Sequence, residues 1–117
     1  MPRAEPEMVL INKFYDFAVW TGNHVAKFPK THKFTVGDRL QNRVSDILET
    51  LIKAKYRRNR LELLQDANLG LELLRFQFRM ARDLGCLSPE SLGSAARAVN
   101  EVGRLVGGWI KSAGKQG

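Results

Sequence analysis

Apolar positions in this chain recur at alternating spacings of three and four in four separate stretches, and each stretch predicts an amphipathic helix. The first, over about residues 6–28, carries Leu10, Phe14, Phe17, Thr21, Val25 and Phe28 on one stripe, and Pro29 is expected to end it. The run Pro29 to Phe34 reads as a loop. Thr35, with Asp38 three residues later, has the spacing of a capping box and is expected to start a second helix over about 36–56. Its stripe is Leu40, Val44, Ile47, Leu51 and Ala54, widened by Leu48.

Asn59 and Glu62 repeat the capping spacing and place a third helix over about 60–84, closed by Gly85, a residue suited to the left-handed cap. Ser88, Pro89 and Glu90 then supply an N-cap, a first helical residue and an acid that complements the helix N-terminus. The fourth helix is expected over about 89–112. Its stripe is Leu92, Ala95 or Ala96, Val99, Val102, Val106 and Trp109. Gly103, Gly107 and Gly108 interrupt it at a propensity cost of roughly 1 kcal/mol each, which close packing is expected to offset. The tail from Ala113 is too small and polar to order itself.

Four such helices joined by short connections predict an all-α fold, an antiparallel up-down-up-down four-helix bundle formed by one domain over residues 1–117 with short disordered termini. No sustained period-two alternation signals a strand, and no internal repeat supports a solenoid.

The third helix is apolar on two sides. At ~100° per residue, Leu64, Ala67, Leu71, Leu74, Phe78 and Ala81 share one face, and Leu69, Leu73, Phe76, Met80 and Leu84 lie roughly opposite. A bundle helix needs one apolar stripe for its own core, so the second set is a candidate subunit interface. The alternative is that the N-terminal segment or a tilted neighbouring helix covers it. Gly70 within this helix would permit a close helix approach.

Charge adds a partner to this picture. Lys and Arg number 19 against 12 acids, giving a net charge of +7 and a pI near 10.0. Such a surplus on a small domain favours an anionic partner, nucleic acid ahead of membrane. The cations are grouped. Arg75, Arg79 and Arg82 form a ridge on the third helix, and Arg39, Arg43, Lys53 and Arg57 share a narrow sector of the second, with Asp46 placed to pair along the helix. Lys53, Lys55, Arg57, Arg58 and Arg60 crowd the junction between the two without an intervening acid. Tyr56 among them either stacks on an unpaired base or packs against its neighbours. These ten cations are the candidate nucleic-acid-binding residues; a solvated charged face is the plainer alternative for the ridges.

Catalytic chemistry finds little footing. His24 and His32 lack the glutamate three residues earlier that a di-iron bundle site requires, and the glycines of the fourth helix do not form a phosphate loop. Nothing assigns a base to Cys86, so a structural thiol is expected, as are no enzyme activity, no cofactor and no metal. One cysteine permits no disulfide within the chain, which points to a reducing, cytoplasmic location. No apolar run reaches the ~18 residues of a membrane span, and Met1 to Phe14 lacks a signal-peptide core.

Two runs resemble a known family. Leu69-Gly70-Leu71-Glu72-Leu73-Leu74-Arg75-Phe76 with Arg79, and Glu101-Val102-Gly103-Arg104-Leu105-Val106-Gly107-Gly108-Trp109-Ile110, resemble the accessory variability determinant, Avd, of diversity-generating retroelements. The segment Phe28 to Lys33 is similar to that family's first interhelical loop, and the resemblance spans about Phe14 to Ser112. More loosely, the chain is similar to the four-helix-bundle proteins encoded within intervening sequences of bacterial 23S ribosomal RNA genes. The Avd resemblance implies a barrel-shaped homopentamer with a basic surface. It also implies partners, RNA or DNA and a reverse transcriptase, and an accessory role in mutagenic reverse transcription without polymerase chemistry. A helical adaptor whose only partner is a protein is the competing expectation. Base-specific readout has no visible module, so binding through phosphates is expected.

Overall fold

A proline ring pushes the residue before it out of the helical region, and the first helix stops accordingly. The computed structural model describes residues 5–116. In it α1 spans Pro6–Val25, three residues short of the expected end. The chain then unwinds through tight turns in which the amides of Lys27 and Phe28 donate to His24 and Val25, and Phe28 leaves the helix while its ring stays buried in the core.

The expected loop that follows is helical. Pro29, with φ −55° and an extended ψ of 142°, starts a short turn Lys30–His32, and its carbonyl accepts the amides of His32 and Lys33 at 2.9 Å each. A π-helical turn, Lys33–Gly37, runs directly into α2, Asp38–Tyr56. Thr35 caps nothing, because the helix has already begun: its hydroxyl donates to the carbonyl of His32 at 3.3 Å. Gly37 is buried where this turn crosses the end of α1, and a Cβ there would stand 2.7 Å from Cγ1 of Val25.

α3 spans Arg60–Asp83 and α4 Pro89–Gln116. Asn59 makes no side-chain cap bond at the start of α3, so the capping spacing marks the boundary without supplying the cap. At its other end Gly85 adopts φ +82°, and the amides of Gly85 and Cys86 donate to Arg82 and Ala81, the paired bonds of a Schellman cap. Ser88 Oγ accepts the amide of Ser91 at 3.0 Å and caps α4. α4 continues to Gln116, so the segment from Ala113 extends the helix, while Met1–Ala4 and Gly117 lie outside the described residues.

The four helices form a closed ring. α1 packs on α2, α2 on α3, α3 on α4, and α4 returns to α1 along the least extensive seam. Among the described residues every regular element is helical. The 28 residues of α4 at ~1.5 Å each come to about 42 Å, most of the longest dimension of the molecule, 47 Å. The inner stripes of all four helices meet in one core that includes Phe14, Leu40, Leu51, Leu71, Leu74, Val99 and Val106, with Ala95 and not Ala96 on the inward side of α4. The buried Thr21 hydroxyl donates to the Phe17 carbonyl at 2.9 Å, and no described buried side-chain polar atom lacks a partner.

The glycines divide by surroundings. Gly70 is buried, and a Cβ there would lie 2.9 Å from Cγ1 and 3.2 Å from Cδ1 of Ile47, so α2 and α3 approach closely at this point. Gly107 and Gly108 have nothing within 4 Å and Gly103 meets only the guanidinium of Arg75 at 3.7 Å. The close packing expected against the glycines of α4 is therefore absent within the described chain; Gly107 and Gly108 lie on its outer side because Val102, Val106 and Trp109 take the inner one, and half-buried Gly103 faces Arg75.

Candidate nucleic-acid interface

Neighbours on both sides of α3 set which way its second apolar row points. Ile47 against Gly70 and the Arg43 guanidinium on Gln77 Oε1 at 3.4 Å place α2 on one flank. Arg75 on the side-chain oxygen of Asn100 places α4 on the other. Between these flanks Leu69, Leu73, Phe76, Met80 and Leu84 face outward, and no described part of the chain covers them. Phe76 is 62% and Met80 56% exposed, which separates this row from the core row on the same helix.

The basic residues fall into two groups by what holds them. Arg39, Lys53, Arg57, Arg58 and Arg79 are exposed and, among the described residues, have no carboxylate partner. Asp46 is near them in sequence but forms no ion pair among the described residues; its carbonyl accepts the Thr50 hydroxyl at 2.8 Å. The others are held by protein groups. Arg43 reaches Gln77; Arg75 reaches Glu72 at 3.0 Å as well as Asn100; Arg82 touches Asp83 at 3.5 Å. Lys55 is bound to Glu5, and this bond holds its ammonium above the usual lysine range.

Arg60 has a different task. Its guanidinium donates to the carbonyls of Ala54 at 2.8 Å and Lys55 at 3.2 Å, closing the free C-terminal end of α2, and lies 6.0 Å from the Trp109 ring centroid. A cation on terminal carbonyls complements the helix dipole as well as satisfying acceptors. Arg60 thus caps the end of α2 and leaves the start of α3 without a side-chain cap, and it sits half-buried at the junction that Arg57 and Arg58 present.

Tyr56, Arg57, Arg58 and Leu61 rim an open crevice of about 530 Å³ completed by Ala113 and Gly114 of α4. Tyr56 is 75% exposed with the Lys55 ammonium 5.6 Å from its ring centroid, so it does not pack against its neighbours. An accessible ring beside two unpaired guanidinium groups offers a base-stacking face and phosphate donors together. On the outward face of α3, the Arg79 guanidinium lies 5.3 Å from the Phe76 ring centroid, joining basic ridge to apolar row.

The chain matches the model of the bAvd-like family over residues 8–113. It belongs to that family. A search of curated proteins finds no match. The matched span includes α2, α3 and nearly all of α1 and α4, so the bAvd-like resemblance rests on the bundle as a whole and not on one motif.

Other titratable groups of this bAvd-like chain have structural surroundings. Half-buried His24 stacks on Trp20 with ring centroids 3.8 Å apart, and its Nδ1 lies 2.9 Å from the Trp20 carbonyl. Burial raises the Cys86 thiol above its ordinary value, the opposite of an activated nucleophile. Glu101 bonds Lys13 at 2.8 Å across the α1–α4 seam, and that ammonium holds its carboxyl below the usual range. Among the described residues no cluster of His, Cys, Asp and Glu could hold a metal ion, and no helix is long and apolar enough to cross a membrane. Sequence reasoning missed Arg60 as a cap and Gln77 and Asn100 as anchors. These two anchors lie 34 and 25 residues from their arginines, beyond any helical spacing.

Proposed function

We propose that this bAvd-like chain is a non-enzymatic, cytoplasmic accessory subunit of a diversity-generating retroelement. It binds RNA or DNA and the reverse transcriptase, and supports mutagenic reverse transcription. Subunits assemble as a homopentamer through Leu69, Leu73, Phe76, Met80 and Leu84, which repeats the exposed cations around a ring. Support comes from one combination above all: an uncovered apolar row on α3 with Arg79 lying on Phe76, together with the exposed arginines of the α2–α3 junction, in a chain of this family. Phosphate contacts dominate the binding, since the cations present no groove-reading module and five of them are free to reach a backbone.

Electrophoretic shift of a labelled RNA over a salt series tests this. The wild-type protein is expected to retain the RNA near physiological ionic strength with a steep salt dependence. Replacing Arg57 and Arg58 by Glu, with Arg60 left in place to cap α2, is expected to weaken binding at least tenfold at unchanged helix content. It should also lower the slope of log affinity against log salt by roughly 0.7 per lost phosphate contact on a single strand. Failure of the wild-type protein to retain any RNA would favour a protein-only adaptor.

A further inference from the structure

The α1–α2 connection, outside the surfaces described so far, combines the same two features as the Tyr56 junction. From Phe17 to Gly37 the chain contains no acid, and within it stand Lys27, Lys30, His32 and Lys33. Lys27, Lys30 and Lys33 make no ion pair among the described residues. Phe34 directly follows them, 67% exposed, with the Lys33 ammonium 5.9 Å from its ring centroid. Hydrophobicity alone would tuck such a ring away. The π-helical turn Lys33–Gly37 holds it out instead, pinned by the amides of His32 and Lys33 on Pro29 and by the buried contact of Gly37 with Val25. A rigidly presented aromatic surface costs little further order on binding, and π-helical turns are frequent at functional positions.

The Lys55–Glu5 bond puts the start of α1 beside the end of α2, so the α1–α2 connection lies at the opposite end of the bundle from Tyr56. The 19 residues of α2 separate the two by about 28 Å.

We infer that the α1–α2 connection is a second nucleic-acid contact, in which Phe34 stacks an unpaired base of a single strand while Lys27, Lys30 and Lys33 hold the flanking phosphates. It rests on the nucleic-acid binding proposed above and adds a distinct site with its own selectivity. Stacking requires a base free of its pair, so this end discriminates single strands from duplex, whereas the lysines bind both.

Fluorescence anisotropy of the full chain decides it, with a labelled 15-nucleotide pyrimidine RNA, the DNA of the same sequence, and an RNA duplex of equal length. Phe34→Ala is expected to weaken both single strands about five- to hundredfold and to leave the duplex within twofold, while Phe34→Tyr restores single-strand binding. Replacing Lys27, Lys30 and Lys33 by Gln is expected to weaken strands and duplex alike and to flatten the salt dependence. Phe34 is exposed, so retained circular dichroism is expected for its variants. Unchanged single-strand affinity in Phe34→Ala overturns the site, as does equal loss on strand and duplex. Loss of a protein partner with RNA binding intact assigns the ring to a protein contact and also overturns it. Absence of all binding by the wild-type chain rejects the nucleic-acid reading itself, a result distinct from each of these.

Discussion

α3 carries two apolar rows of nearly the same composition, and they have opposite surroundings. Leu64, Leu71, Leu74 and Phe78 are enclosed by the other three helices, while Leu69, Leu73, Phe76 and Met80 face outward. The inner row stabilises the bundle of a single chain. The outer row contributes less to that bundle, because its side chains keep 41–62% of their full exposure whereas the inner row keeps 2% or less. Uncovered apolar surface of this extent beside a basic ridge marks an interaction face. One helix therefore serves folding on one side and, in the function proposed above, association on the other.

Breaking the inner row is expected to have the largest effect. Leu74 is 0% exposed, and Leu74→Ala is expected to cost about 2–5 kcal/mol of stability by lost burial and the cavity left behind, read as a lowered midpoint in urea. The corresponding change on the outer face is expected to spare the fold. Phe76→Asp with Met80→Asp should retain helical circular dichroism yet convert the assembly to monomers in light scattering, weakening association by about 2 kcal/mol or more at a central position. A wild-type chain that is monomeric at the same concentration would remove the interface from this face. Gly70→Ala sharpens the boundary between the rows. The added methyl meets Ile47 at 2.9 Å, and the overpacking is expected to exceed the gain in helix propensity by about 1 kcal/mol, seen as a fall in thermal midpoint.

The three interhelical connections teach a related point about what is legible. Around Gly85 and Ser88 the deciding bonds are local, backbone to backbone or a hydroxyl to an amide three residues away, and the residue types announce them. Around Pro29 and Asn59 the residue types do not announce the outcome. The run after Pro29 has the polar look of a loop, yet it is helical because Pro29 starts a turn and the absent side chain of Gly37 lets it settle against Val25. At Asn59 no side chain caps the start of α3; instead the neighbouring Arg60 reaches backward across the turn to close the end of α2, a geometry that the capping spacing does not encode.

Helical periodicity by itself determined the four helices, their inward stripes and the excess apolar row on α3, because each depends only on which residues recur at 3.6 per turn. Composition determined the basic character, and the residue runs of the third and fourth helices pointed to the family. Only the tertiary structure decided which cations are free. Arg43, Lys55, Arg60 and Arg75 are engaged by groups on other elements or across a turn, whereas Arg39, Lys53, Arg57, Arg58 and Arg79 have no carboxylate partner among the described residues. A charge is placed by its own residue, but its availability is set by the acceptors that folding brings within about 3 Å.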